Sequence, residues 1–289
     1  MNKNGKSVSW WVLACCGVAI VVTGVLILRD YSNRVKAREL YNTVNLSVFQ
    51  FESKIDRDDS PEDNSLSLED NDFPDSVDEI QSFLDNCTNS RLVEPYLYAS
   101  VDFDYLLEQN EDVCGYLVLP GTVISYPVLY SGTDTYYLKH NFDKSYGYPG
   151  CLFIEGYNKR DFSDPVNVIY GHKMHDGTMF ADLYRYEEEG FLDEHGYFFL
   201  YTKDATNVYQ IALVSTYTST HLLVGDDGPY PMEGLGMDIF QKLNSYNGSK
   251  PYFPPYAYDA DDELLILSTC SNKINRYLVI GKRVLTISK

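Results

Sequence analysis

The sequence predicts a mainly β fold with a few added helices, a barrel or sandwich of about eight short strands carried behind one N-terminal transmembrane helix. Three observations predict it. Eight short apolar runs punctuated by turn residues fill the chain beyond residue 110, a charge-free stretch opens it, and an acidic segment with little apolar periodicity lies between. The 289 residues, 44% hydrophobic and 15% aromatic, are too apolar for a chain disordered throughout, so a core must exist. The formal net charge of -19 leaves no basic stripe for phosphates, which excludes nucleic-acid binding as the main role.

Val8 to Leu28 runs for 21 residues without a charge. At about 1.5 Å per helical residue it matches a hydrocarbon layer of roughly 30 Å. Trp10 and Trp11 stand at its leading end, where amphipathic rings favour the headgroup region. A cleavable signal peptide would be shorter and end in small residues, whereas Leu28 is followed by Arg29, Asp30 and Tyr31. The apolar run also continues well past Cys15, against a lipoprotein leader, and only Ser9 and Thr23 interrupt it, against a globular helix with a polar face. The segment reads as an uncleaved signal anchor. Arg29, Arg34, Lys36 and Arg38 outnumber Lys3 and Lys6, so the positive-inside count alone argues for a cytoplasmic C-terminal part.

Residues 34–55 carry scattered apolar positions suited to a helix leaving the membrane. Asp56 to Glu79 holds eleven acidic residues with Pro61 and Pro74 and reads as a solvated linker. The organisation expected is a tail (1–7), an anchor (8–28), a helical stem with its acidic linker (29–90) and a folded, strand-rich domain (91–289). Within the last, Val101 to Gln109 forms a short helix capped by Asp102. Strand-type runs follow at 116–119, 123–130, 151–154, 166–170, 197–201 and 208–214, then a helix at 235–246, and two last strands at 263–267 and 276–285.

Six cysteines divide into Cys15 and Cys16 inside the anchor and Cys87, Cys114, Cys151 and Cys270 beyond it. No spacing suits zinc, and a disulfide among Cys87, Cys114 and Cys151 stays open. Cys114 and Cys151 lie in strand-type runs and read as small buried apolar residues. Cys270 differs: it ends an apolar strand and is followed at once by a polar loop, Ser271-Asn272-Lys273. A thiol at a strand end faces a rim or cleft, where as thiolate it can attack a carbonyl. His172 likewise follows a strand, in Tyr170-Gly171-His172, and Arg276 opens the last strand with only five residues between it and Cys270. Taken singly, each is more often structural or solvated.

Together these segments resemble the sortases, and most closely class B. The signature Thr-Leu-x-Thr-Cys stands here as residues 266–270, with Ile266 in place of the first Thr. A histidine segment of the form Tyr-Gly-His-x-Met-x-Asp-Gly-x-Met-Phe is matched from Tyr170 to Phe180, and the arginine that opens the next strand by Arg276. The similarity extends over residues 102–284, including Gly115-Tyr116-Leu117-Val118-Leu119-Pro120-Gly121-Thr122 and Tyr136-Tyr137-Leu138-Lys139-His140.

The resemblance implies a closed sortase-type barrel of about eight strands and a transpeptidase of the Gram-positive cell surface. Its substrates would be secreted proteins bearing a C-terminal sorting signal, in class B often beginning Asn-Pro, cleaved after a Thr. The second partner would be the amine of a peptidoglycan precursor. It also implies roles: Cys270 as nucleophile, His172 as proton donor and acceptor, and Arg276 as the cation for the oxyanion, with Ser268, Thr269, Leu138 and His221 as substrate contacts. These residue types suit such chemistry. No metal or organic cofactor is implied, because the thioester keeps the peptide-bond energy. Cell-wall substrates lie outside, so the resemblance places the C-terminal domain outside in a single-pass membrane protein. That outweighs the charge count, since a long C-terminal part translocates regardless of nearby charge. A surface cysteine hydrolase on the same fold and a non-catalytic anchored binding module are the alternatives. His140, His175 and His195 are expected to be structural or solvent-facing.

Overall fold

The computed structural model describes the backbone of residues 8–51, 75–246, 249–251, 262–270 and 275–289. The expected tail, most of the acidic linker and the loop 271–274 lie outside these residues. Anchor and stem form one continuous helix, α1 (Val8–Val48). Its first part stands exposed and apolar, Val12, Ile20 and Leu28 among others, and it is the one described helix long and apolar enough to cross a membrane. Past Arg29 the helix becomes one-sided. Ala37, Tyr41, Val44 and Val48, spaced by four, three and four residues, turn one stripe inward and are buried.

The stem is therefore docked rather than free. The Tyr41 hydroxyl donates to the Gly150 carbonyl at 2.6 Å, and its ring meets Tyr126 edge-on at 5.5 Å. Arg38 pairs with Asp176 at 3.0 Å. The helix expected to run to residue 55 stops at Val48, where the chain turns extended as β1 (Phe49–Phe51). After α2 (Asp75–Asn86) and α3 (Ser90–Leu97) comes β2 (Ala99–Val101), which pairs antiparallel with β1, Phe49 opposite Val101. Phe49 stacks on Tyr116 at 5.8 Å, a long-range contact that overrides local helical pattern. The reading of 75–79 as linker also gives way, since α2 begins at Asp75. Its Ile80, Phe83 and Leu84, one helical turn apart, bury or half-bury one face.

As expected, Asp102 caps a helix, α4 (Phe103–Gln109), accepting from the Tyr105 amide at 2.9 Å. The barrel strands are β3 (Val113–Val118), β4 (Ser125–Leu129), β5 (Leu152–Ile154) and β6 (Val166–Tyr170). After a 3-10 helix (Phe180–Glu187) and α5 (Phe191–Glu194) come β7 (Tyr197–Tyr201) and β8 (Ala205–Thr218). A two-residue ladder, β9 (Val224–Gly225) and β10 (Gly228–Pro229), is followed by α6 (Leu235–Asn244), β11 (Ser249–Pro251), β12 (Leu264–Cys270) and β13 (Asn275–Ser288).

The order β8-β13-β12-β6-β5-β4-β3-β7 closes where β7 pairs back onto β8, giving an eight-stranded barrel, and β11 adds to the far part of the β8 edge. Closure removes the open edges that a sandwich would leave. Two neighbouring pairs are parallel, β4 with β5 and β6 with β12. Inside, Tyr116, Tyr201, Tyr209 and Tyr277 join Phe198 and Phe199 in a core cluster. A second cluster puts Leu235, Ile239 and Leu243 of α6 over Val166, Val168, Leu264 and Ile266, so β6 and β12 are buried on both faces and read as continuous apolar runs. Cys87, Cys114 and Cys151 are all free thiols. Cys151 instead lies 3.1 Å from the Tyr41 hydroxyl, and burial pushes its pKa far up, as it does that of Cys114, which suits inert packing residues.

Candidate active site

The parallel pair of β6 and β12 fixes the geometry. Ser268 of β12 is registered with Tyr170 of β6, and the Gly171 amide donates to the Ser268 carbonyl at 3.2 Å. Two residues on from each, positions 172 and 270 lie at the same end of the barrel. On the other side of β12, position 270 stands directly opposite Arg276 of β13 in the antiparallel register. Three adjacent strands thus deliver the expected histidine, cysteine and arginine positions to one rim.

A cleft of about 140 Å³ opens at that rim, lined by His172, Ser268, Arg276, Leu138, His221 and residues 217–220 among others. His172 is half-buried. Its Nε2 donates to the Leu138 carbonyl at 2.8 Å, which leaves the lone pair of the neutral ring on Nδ1. Leu138, expected as an apolar contact, therefore holds the ring through its backbone as well. The Tyr148 ring lies 5.2 Å from that of His172. Gly171 gives the approach its room: a Cβ there would come within 2.7 Å of Cδ2 of Phe180.

Four of the expected substrate contacts divide three to one. Leu138, Ser268 and His221 line the cleft, whereas Thr269 does not. Alternation along β12 sends Thr269 to the opposite face, where it is 1% exposed and registered with the core residue Tyr277. The other histidines stay away from the cleft lining. His140 stacks on Tyr136 at 4.1 Å, His195 lies 4.5 Å from Phe191 with its pKa lowered by burial, and His175 is exposed.

Sequence reasoning missed two acidic residues beside the cleft, Asp134 in its lining and Glu155 buried behind it. Asp134 precedes the Tyr136-Tyr137-Leu138 segment, and Glu155 follows β5; both meet His221, and their donor atoms fall within 4.8 Å of one another. A signal existed for Glu155: a carboxylate closing the apolar run Leu152-Phe153-Ile154 is buried at 0% exposure and needs a partner.

No protein-family model matches the chain. Sortase B of Listeria monocytogenes is 32% identical over 183 residues, which is 62% of this chain and 72% of that protein. Sortase B of Staphylococcus aureus is 26% identical over 187 residues, 65% of this chain and 73% of that protein. Among solved structures, sortase B from Listeria monocytogenes is similar with a TM-score of 0.52 and 30% identity, covering 63% of this chain and 99% of that one. Clostridium perfringens sortase B gives a TM-score of 0.57 at 24% identity, covering 64% and 100%, a likeness of fold.

Proposed function

The chain belongs to the class B sortase family, and from that premise we propose that it is a membrane-anchored cysteine transpeptidase working through Cys270, His172 and Arg276. One observation carries the assignment of residues: β6, β12 and β13 are neighbours, and their registers bring positions 172, 270 and 276 to a single rim where His172 and Arg276 share a cleft.

In the first half-reaction the Cys270 thiolate attacks the carbonyl carbon after Thr in a sorting signal, and the C–N bond breaks. The departing amine takes its proton from the His172 imidazolium, leaving a thioester on Cys270. In the second, an amine of a peptidoglycan precursor attacks the thioester carbonyl and gives a proton to His172. The C–S bond then breaks and the thiolate returns. Negative charge grows on the carbonyl oxygen in both halves, and Arg276 offers it a permanent cation in planar fork geometry.

The same reading orients the chain. Residues 1–7 stay in the cytoplasm, residues 8–28 cross the membrane, and the barrel stands outside. Because α1 is continuous and its first docked residue is Ala37, the barrel contact begins only nine positions on from Leu28. At about 1.5 Å per residue this holds the catalytic unit about 14 Å from the lipid surface.

The test uses the full chain in detergent micelles with a pool of pentapeptides carrying Thr at the fourth position, with and without added triglycine. Amine-dependent ligation products, absent from Cys270→Ala, are expected. His172→Ala and Arg276→Ala should each slow product formation by about a hundredfold or more. Hydrolysis products alone, in the same yield with or without amine, would instead identify a hydrolase.

A further inference from the structure

One wall of the cleft is the segment 218–222, which leaves β8 at the start of the long connection to β12. Such connections are mobile unless something ties them down. Here His221 does so. Its Nε2 lies 2.9 Å from Oε2 of Glu155 and 3.3 Å from Oδ2 of Asp134, two carboxylates from separate parts of the chain. Glu155 also accepts from the Tyr170 hydroxyl at 2.7 Å, and Asp134 accepts from the Gly156 amide at 2.6 Å. Tyr170 ends β6 and sits two residues before His172. A chain of side-chain contacts therefore runs from the loop wall to the strand that presents the histidine.

We propose that His221 is a positioning residue, a cationic latch which Asp134 and Glu155 hold so that the loop wall keeps a fixed distance from the His172 strand and sets the width of the substrate cleft. The proposal rests on the sortase reading of that cleft. A buried carboxylate with no cation nearby is strongly disfavoured, and truncating one member of such a group strands the other. Glu155, at 0% exposure, is in that position.

The groups facing His221 are the Asp134 and Glu155 carboxylates and the phenols of Tyr157 and Tyr170, with Arg276 near enough to act on Tyr170. Hydrogen bonds to Asp134 and Glu155 raise the His221 pKa to about 9, against the opposing pull of burial. Burial works against ionised Asp134 too, but its hydrogen bonds outweigh that and hold its carboxyl at about 2. The Leu223 amide reaches Nδ1 of His221 at 3.3 Å, a contact that needs an unprotonated Nδ1. Both carboxylates meet Nε2, so protonating Nδ1 keeps those two contacts, gives up the long one to Leu223 and adds charge attraction. Because the folded pKa lies above the ordinary 6.5, the latch is fully made below about pH 6.5 and is lost as pH rises through about 9.

A loosened wall harms the holding of substrate more than the bond-making groups, and that distinguishes a latch from a general scaffold. The experiment takes the full chain in micelles and compares wild type, His221→Asn, His221→Lys and Glu155→Gln. With carbon-13-labelled histidine, the His221 resonance should titrate near pH 9, and in Glu155→Gln its midpoint should fall by about one unit or more. By hydrogen–deuterium exchange, His221→Asn should speed exchange across 216–224 while leaving β3 and β4 unchanged, and His221→Lys should stay near wild type. With the Thr-bearing pentapeptide pool, His221→Asn should raise KM for acyl-adduct formation about tenfold with kcat within about threefold, and His221→Lys should restore KM. Unchanged exchange and unchanged KM in His221→Asn would overturn the latch, as would an ordinary midpoint near 6.5. A wild-type chain that forms no adduct would overturn the sortase reading instead, and exchange and titration would then decide the latch by themselves.

Discussion

Replacing Tyr41 by Ala tests whether the stem of α1 is an integral part of the folded unit. The side chain is 4% exposed, its ring meets Tyr126 edge-on, and its hydroxyl bonds the Gly150 carbonyl beside Cys151. Truncating a buried aromatic costs about 3–5 kcal/mol. For a folded unit of this size each kcal/mol lowers the melting temperature by about 2–4 °C, so Tyr41→Ala should melt roughly 6–20 °C below wild type. Tyr41→Phe keeps the ring and loses one hydrogen bond of about 1 kcal/mol, so its drop should be only about 2–4 °C. Thermal unfolding of the full chain in micelles, followed by near-ultraviolet circular dichroism, reads both. A Tyr41→Ala chain melting within about 1 °C of wild type would refute the docked stem and return residues 29–51 to the role of a tether.

Three further outcomes follow from the same contacts. Gly171→Ala forces a methyl group toward the buried Phe180 ring and should cost about 1–3 kcal/mol, lowering the melting temperature and slowing product formation because His172 is the next residue. Arg276→Lys keeps the charge but not the planar fork, so its rate should fall between those of wild type and Arg276→Ala; a rate equal to wild type would remove the oxyanion role. Asp102→Ala removes the cap of α4 and should cost about 1 kcal/mol in the same melting assay, with product formation at the wild-type rate.

Much of the barrel was legible because its strands carry strong local signals. The runs at 166–170 and 197–201 match β6 and β7 at both ends. Both are buried throughout or nearly so, and turn residues bound them. Closure of the barrel was not legible from pattern alone, since β7 pairing onto β8 is a matter of register between strands. Phe49–Phe51 was read as helix for a related reason: three residues carry no period, and their partner β2 lies about fifty positions away. For Asp75–Glu79 the acidic composition masked a helix start, although carboxylates in a first turn favour one and Ile80, Phe83 and Leu84 supplied the apolar stripe.

The site divides in the same way. Cys270, His172 and Arg276 stand out because each lies at or just beyond a strand end, and two of those strands are parallel neighbours. Thr269 was placed in the cleft by its membership of the signature, but strand alternation turns it to the core face. The Asp134, Glu155 and His221 trio comes from three distant segments, and only the fold brings them together.

Intact-mass measurement of a trapped intermediate tests the catalytic assignment most directly. Full-length chain mixed with the Thr-bearing peptide pool and quenched early in acid should gain the mass of the peptide's acyl portion. Hydroxylamine should remove the added mass, and peptide mapping should place it on Cys270. Label on Cys87, Cys114 or Cys151, or label that persists in Cys270→Ala, would contradict the account.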